Sequence, residues 1–435
     1  MKTLDTIART LTLSFAATTA MWMFSYISLL FAGPSGGEVL FVLSGLSLVF
    51  AGLLNARCGG SAWQSVWIGG ISAFINLMLL GSMVGGGEEA LSKGILWFGV
   101  LLGGSIGLSW TGAQIGQKMR ICYKAFDWQY EFFVMASLLV FLMLVTGGLV
   151  TGFEAGLAVP DWPNSYGHNM LLYPLTEMVS PENEGVFFEH AHRLTGMFVG
   201  LTSLVMLVCA WRWNARCVVR FAATLVFVFV CLQGLLGGLR VTGYLTLSQD
   251  RAVLDPNVWI GVVHGVVGQL IFAGFVWIAA MMSPTWRGSS IENTSNKSDV
   301  RLGTLLVCAM IFQLVLGAVY RHMLGVESLA PKATHVLYTH IAVAIIVLVF
   351  SVLLGLRLRA RDHQILKTYG AIILTLVGLQ FLLGGGALIA ILLQSGSEIP
   401  SYEVVLTTLH QANGALLLGA SVASLAWVRR TSRVQ

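Results

Sequence analysis

Four histidines recur at nearly constant spacing: His192, His264, His340 and His410, separated by 72, 76 and 70 residues. Imidazole is a neutral nitrogen donor near pH 7 and a ligand for iron, zinc or copper. Each of the four follows a proline, in the pairs Pro181 and His192, Pro256 and His264, Pro331 and His340, and Pro400 and His410. Ahead of the last three prolines stands the run Gln-x-x-Leu-Gly-Gly/Ala, at Gln233 to Gly238, Gln313 to Ala318 and Gln380 to Gly385. A weaker copy precedes the first, with Met143 in the Gln position and Gly147-Gly148 at its close. The spacing is one helical hairpin per repeat, and proline sits at helix starts, where its missing N–H costs nothing. The four imidazoles therefore fall at one depth on alternate helices, facing a shared interior. Two ligand pairs across a bundle suit bis-histidine haem, one imidazole on each axial face. Zinc or copper would instead gather its ligands into one cluster, often with a short i, i+4 spacing, which these residues lack.

Glu189 lies three residues before His192, on the same helix face, and Arg193 follows directly. A carboxylate beside a candidate haem ligand can orient the imidazole, manage a proton or stabilise positive charge on a macrocycle. Arg193 could pair with a haem propionate or with Glu189; an ion pair at a helix start would use the same residues. The equivalents of Glu189 before His264, His340 and His410 are Gly261, Leu337 and Thr407, so the two halves are chemically unequal. The remaining histidines signal less. His335 is rotated about 140° from His340, so both cannot face one iron. His322, beside Arg321, reads as a propionate contact or a helix cap. His190 points about 100° away from the Glu189–His192 stripe, outside the ligand shell or exposed. His168 and His363 fall in loops. A long outer segment, about 152–188, carries prolines and aromatics and reads as a lid over the first site.

The elements that must position these residues belong to a membrane. Of 435 residues 56% are hydrophobic and only 10% charged, which excludes an ordinary soluble enzyme and a disordered chain. The net charge of +5 is small and dispersed and argues against nucleic-acid binding. Apolar runs predict an all-α polytopic protein with about twelve spans, near 11–32, 38–55, 63–85, 94–115, 131–151, 190–211, 219–241, 259–282, 303–321, 335–356, 368–392 and 404–427. With the N-terminus cytoplasmic, nineteen of the 25 basic residues fall on inner segments and six outside, which predicts both termini cytoplasmic in a cell membrane. The six cysteines lie in spans or near inner loops, so no disulfide is expected. The first four helices contain no histidine. The organisation reads as an N-terminal four-helix extension (1–115), a cytoplasmic linker (116–130), a four-helix half (131–282), a second cytoplasmic linker (283–302) and a C-terminal four-helix half (303–435).

Assembled, these features resemble the haem A synthase family, membrane enzymes that convert haem O to haem A, over about residues 127–435. The resemblance rests on the loop Gly156-Leu-Ala-Val-Pro-Asp-Trp-Pro163, on Glu189-x-x-His192-Arg193, on the recurrent Gln-x-x-Leu-Gly ends, and on His264, His340 and His410 near helix starts. It implies an eight-helix core of two pseudo-symmetric four-helix bundles. It further implies a haem b cofactor on His340 and His410, the substrate haem on His192 and His264 with Arg193 nearby, and an essential Glu189. The implied reaction oxidises the C8 methyl group to a formyl group by way of an alcohol, with Glu189 stabilising cationic charge or accepting a proton. Two features depart from the family: an outer-loop cysteine pair is missing, and residues 1–115 are additional. The latter read as a scaffold or docking module, for a haem O synthase or another haem-delivering partner. A dihaem b-type electron-transfer cytochrome, needing the four histidines but not Glu189, and a haem-trafficking or oxidase-assembly protein are the rival readings.

Overall fold

The computed structural model describes residues 2–31, 36–79, 90–119, 126–178, 185–213, 215–242, 255–288, 295–324, 326, 329–394 and 399–432. Pro181, Cys122, Arg120, Lys124, Arg251, Arg433, Glu88 and Glu89 lie outside the described residues, and of Pro256 and Lys93 only the backbone is described. Twelve long helices account for nearly all of the described chain: α1 (Lys2–Phe31), α2 (Gly36–Arg57), α3 (Ala62–Leu79), α4 (Ala90–Lys118), α5 (Trp128–Gly152), α6 (Val186–Arg212), α7 (Cys217–Thr242), α8 (Asp255–Met282), α9 (Lys297–Leu324), α10 (Ala330–Arg359), α11 (Gln364–Leu393) and α12 (Ser401–Thr431). All coincide with the apolar runs, and ten are long and apolar enough to cross a membrane. The protein is all-α and polytopic.

The other two long helices are α1 and α3. In α1 the apolar run is diluted by hydroxyl residues, and these satisfy themselves on the preceding turn. Thr10, Thr12, Ser14, Thr18 and Ser25 each donate to the carbonyl four residues back, at 2.7–2.9 Å. α3 has only 18 residues.

The chain divides into two compact units, and α5 and α6 each contribute to both. One unit comprises Met1–Leu142, Asn164–Asn183 and Arg193–Ala215. Here α2 and α4 touch backbone to backbone: a Cβ on Gly52 would stand 1.8 Å from the Ser109 carbonyl oxygen, and one on Gly112 1.9 Å from that of Val49. Only glycine allows so close an approach. α1 joins α3 through Thr18–Ser72 (2.9 Å) and Trp22 Nε1 to Asn76 Oδ1 (3.3 Å). Phe15 of α1 packs edge-on to Phe132 of α5, centroids 5.6 Å apart, and stacks on Phe198 of α6 at 5.8 Å. The only sheet among the described residues is the hairpin β1 (Asn164–Ser165) and β2 (His168–Asn169), with Ser165 opposite His168. Its two turn residues, Tyr166 and Gly167, both have positive φ (50° and 78°), as the tight primed turn requires.

The second unit comprises Met143–Pro163, Glu184–His192 and Arg216–Gln435. It holds α7 to α12 with the C-terminal part of α5 and the N-terminal part of α6. Its basic end is clamped by polar groups. The Asp299 carboxylate is fully buried and accepts from Arg357 Nε (2.9 Å) and Arg361 Nη2 (2.5 Å), which ties the start of α9 to the end of α10. Arg430 donates to the Trp286 carbonyl and lies 4.8 Å over the Trp286 ring, fastening the end of α12 to the α8–α9 connection.

Candidate functional site

All four repeat histidines belong to the second unit, and the fold treats them alike. In each hairpin the leading glycine of the repeat lies beneath the imidazole edge of the next helix. An added Cβ would stand 3.0 Å from His192 Cε1 on Gly147, 3.2 Å from His264 Cε1 on Gly237, 3.0 Å from His340 Cε1 on Gly317 and 2.9 Å from His410 Cε1 on Gly384. The glycine repeat is thus the floor of four histidine seats, beyond any general role in helix packing.

The residue four positions before that glycine differs in use. Gln233 Nε2 donates to the His264 carbonyl, and Gln313 Nε2 to that of His340 at 3.0 Å. Each amide thereby pins the backbone of a histidine and leaves its ring alone. Gln380 turns to the ring instead, 3.2 Å from Nδ1 and 3.3 Å from Nε2 of His410, while its Oε1 accepts from Asn413 Nδ2 at 2.7 Å. Met143 cannot donate at all. In that repeat Thr146 lies 3.0 Å from His192 Nδ1. Among the described residues, Nδ1 of His264 and of His340 is buried without a hydrogen-bond partner.

His340 and His410 face each other with ring centroids 6.4 Å apart and planes inclined at 70°. With metal–nitrogen bonds of about 2 Å and roughly 1 Å from Nε2 to the ring centre, two imidazoles sandwiching one metal ion have centres about 6 Å apart. The separation of this pair matches that spacing.

The first half has an additional carboxylate. Glu189 is buried, and its Oε2 accepts the Val159 N–H at 2.7 Å, which straps the loop after α5 to α6. The same loop is anchored twice more. The Trp162 ring covers Gly238, where a Cβ would stand 2.3 Å away, and the Arg240 guanidinium lies against Gly156, where the corresponding distance is 3.2 Å. The charge of Arg240 acts on Glu189, His264 and His322 together. Glu189 is therefore fixed by a loop amide and acted on by the charge of a partly buried arginine. In the second half of the hairpin pair the equivalent position is closed: a Cβ on Gly261 would stand 2.8 Å from His322 Cε1. A longer side chain there would have to displace the His322 ring.

The other expected residues are distributed as follows. Arg193 Nη1 donates to the Asn164 carbonyl at 3.1 Å, in the first unit. His190, expected at the margin, is buried (1% exposed). His335 is exposed, turned away from His340 as the helix geometry requires. His168 sits on the hairpin, edge-on to Tyr173 at 6.0 Å, and His363 lies 6.2 Å from Trp427. Burial, reinforced by Glu177 and Tyr166, pushes the Tyr173 phenol up to about 12, so it remains a neutral donor through the physiological range. Arg321 donates to the Thr151 carbonyl at 2.6 Å and stands 4.0 Å from Glu154, capping the end of α5.

Sequence reasoning passed over Thr146, Trp162 and Arg240 as site residues. For Thr146 a signal exists: it occupies the position just before the repeat glycine, where the other three repeats have Leu236, Leu316 and Leu383. Arg240 counted only as an outer charge, and nothing local marks Trp162 as the ring that would cover Gly238.

The family model described as cytochrome oxidase assembly protein, COX15-CtaA, matches residues 130–422, more than half of the chain. Among similar proteins, the heme A synthase of Ruegeria pomeroyi is 29% identical over 235 residues, covering 50% of this chain and 60% of that protein. The heme A synthase of Beijerinckia indica is 26% identical over 209 residues (42% and 55%), and that of Listeria monocytogenes 26% over 171 residues (39% and 46%). The matched stretch spans about half the length of these relatives. From α5 to most of α12 the match is continuous, and the chain belongs to the COX15-CtaA family of cytochrome oxidase assembly proteins, the haem A synthase family.

Proposed function

We propose that this protein is a haem A synthase, an oxidoreductase that converts the C8 methyl group of haem O to a formyl group by way of an alcohol. The observation that carries the reading is the pair His340–His410, 6.4 Å apart on two glycine floors, duplicated in sequence by His192 and His264. In this reading His340 and His410 hold haem b, which supplies one-electron redox chemistry when bound. His192 and His264 hold the substrate, with Arg193 as the cation for a propionate. Glu189 is the catalytic carboxylate. Its Oε2 is fixed by the Val159 amide, with the charge of Arg240 acting on it, and as a carboxylate it would accept a proton from an attacking water or stabilise cationic charge. The loop bearing Val159 and Trp162 excludes bulk water from that carboxylate. Arg216, Arg287, Arg357, Arg361 and Arg430 gather at the opposite helix ends. By the positive-inside rule those ends and both termini face the cytoplasm of a cell-membrane protein, and the histidines lie toward the outer face.

Co-expression with a haem O source, followed by mass analysis of extracted haems, tests this reading in the wild type and in Glu189→Gln. The wild type should yield the formyl product; Glu189→Gln should retain bound haem and accumulate haem O, with product down at least about 100-fold. Product at wild-type level in Glu189→Gln would remove the catalytic role. Wild-type protein that leaves haem O unaltered would instead favour the dihaem cytochrome or carrier.

A further inference from the structure

Thr146 sets His192 apart from its three counterparts. Its side chain is buried (1% exposed) at the end of α5, and its Oγ1 lies 2.9 Å from the Met143 carbonyl and 3.0 Å from His192 Nδ1. A carbonyl oxygen only accepts, so the Thr146–Met143 hydrogen bond uses the single hydroxyl hydrogen. With that bond made, the hydroxyl lone pair faces the imidazole and pairs with a proton on Nδ1. This fixes one tautomer and directs the lone pair of His192 to Nε2. The other ligand candidates have no such device. Among the described residues, Nδ1 of His264 and of His340 has no hydrogen-bond partner, and His410 meets an amide nitrogen. Where His192 has Thr146, they have Leu236, Leu316 and Leu383. The exchange of Gln for Met143 belongs to the same change, since Met143 supplies the carbonyl but no competing donor.

We propose that Thr146 is a positioning residue that locks His192 in the Nδ1–H tautomer and makes it the most electron-donating of the four imidazoles. The inference rests on the haem-ligand reading above. A hydrogen bond accepted from the distal ring nitrogen raises the basicity of a ligating histidine, and loss of such a bond lowers metal affinity by about 10- to 100-fold. Stronger donation favours the oxidised metal, so the iron bound by His192 should have its potential held down by Thr146.

Redox titration of the purified full-length protein, reconstituted with haem and followed by absorption, tests this. His192→Ala identifies which haem signal depends on that ligand. Thr146→Val should move the midpoint of that signal in the positive direction and weaken haem retention about 10-fold, while Thr146→Ser restores both. Leu236→Thr, which rebuilds the hydroxyl beside His264 with Gln233 supplying the carbonyl, should move the same midpoint in the negative direction. Two resolved haems with an unchanged midpoint in both Thr146→Val and Leu236→Thr would overturn the proposal and leave the function intact. A wild type with no haem signal sensitive to His192→Ala would overturn the ligand reading and this proposal together.

Discussion

At the scale of single residues, the glycines under the four imidazoles decide how much freedom each ring has. An added Cβ stands about 3 Å from Cε1 in every seat, so alanine demands a shift of a few tenths of an ångström and leucine demands eviction of the ring. Gly384→Leu should therefore abolish haem at the His340–His410 pair, while Gly385→Leu, where open space surrounds the site of an added Cβ, should leave it in place. Haem-to-protein ratio by absorption distinguishes the two. Equal loss in both variants would reduce these glycines to general helix packing. The pattern of the histidines and of Glu189 is readable in the sequence, because three near-equal spacings and one unmatched carboxylate are properties of the chain itself. Their partners are not. Trp162 on Gly238 and Arg240 beside Gly156 depend on how the loop folds back, and no periodicity encodes that.

At the scale of elements, the apolar runs located every long helix but fell short at most ends. α9 begins at Lys297 and α12 ends at Thr431, four to six residues beyond the runs, because their last turns are polar. Hydropathy reports the membrane-embedded stretch, whereas the helix continues into turns held by charged side chains. Those turns do structural work. Buried Asp299 is paired with two arginines that are partly exposed, so removing both leaves an unpaired buried carboxylate. Arg357→Ala/Arg361→Ala should cost about 3–5 kcal/mol and each single variant distinctly less than half of that, since the remaining guanidinium still neutralises the charge. Thermal unfolding in detergent measures the difference. Strict additivity would mean that the two arginines act independently of Asp299. The closure of the Glu189-equivalent position by His322 over Gly261 is also an element-scale effect, and it was legible only as a bare substitution of Glu by Gly.

At the scale of the whole molecule, two compact units share the helices α5 and α6. The sequence separates a histidine-free region before residue 115 from the repeats, yet within the first unit Phe15 and Trp22 of α1 pack on Phe132 and Phe198 of α5 and α6. Such contacts are invisible to composition, since aromatic residues facing lipid and facing another helix read alike. The second unit gathers all four repeat histidines. Under the proposed function these form two axial pairs for haem iron, and absorption spectroscopy of the purified protein with iron quantification tests that most directly. The wild type should show a low-spin b-type spectrum with two irons, and His340→Ala or His410→Ala should lose the share of one iron while remaining folded. A wild type without haem, or iron content and spectrum unchanged in both variants, would contradict it.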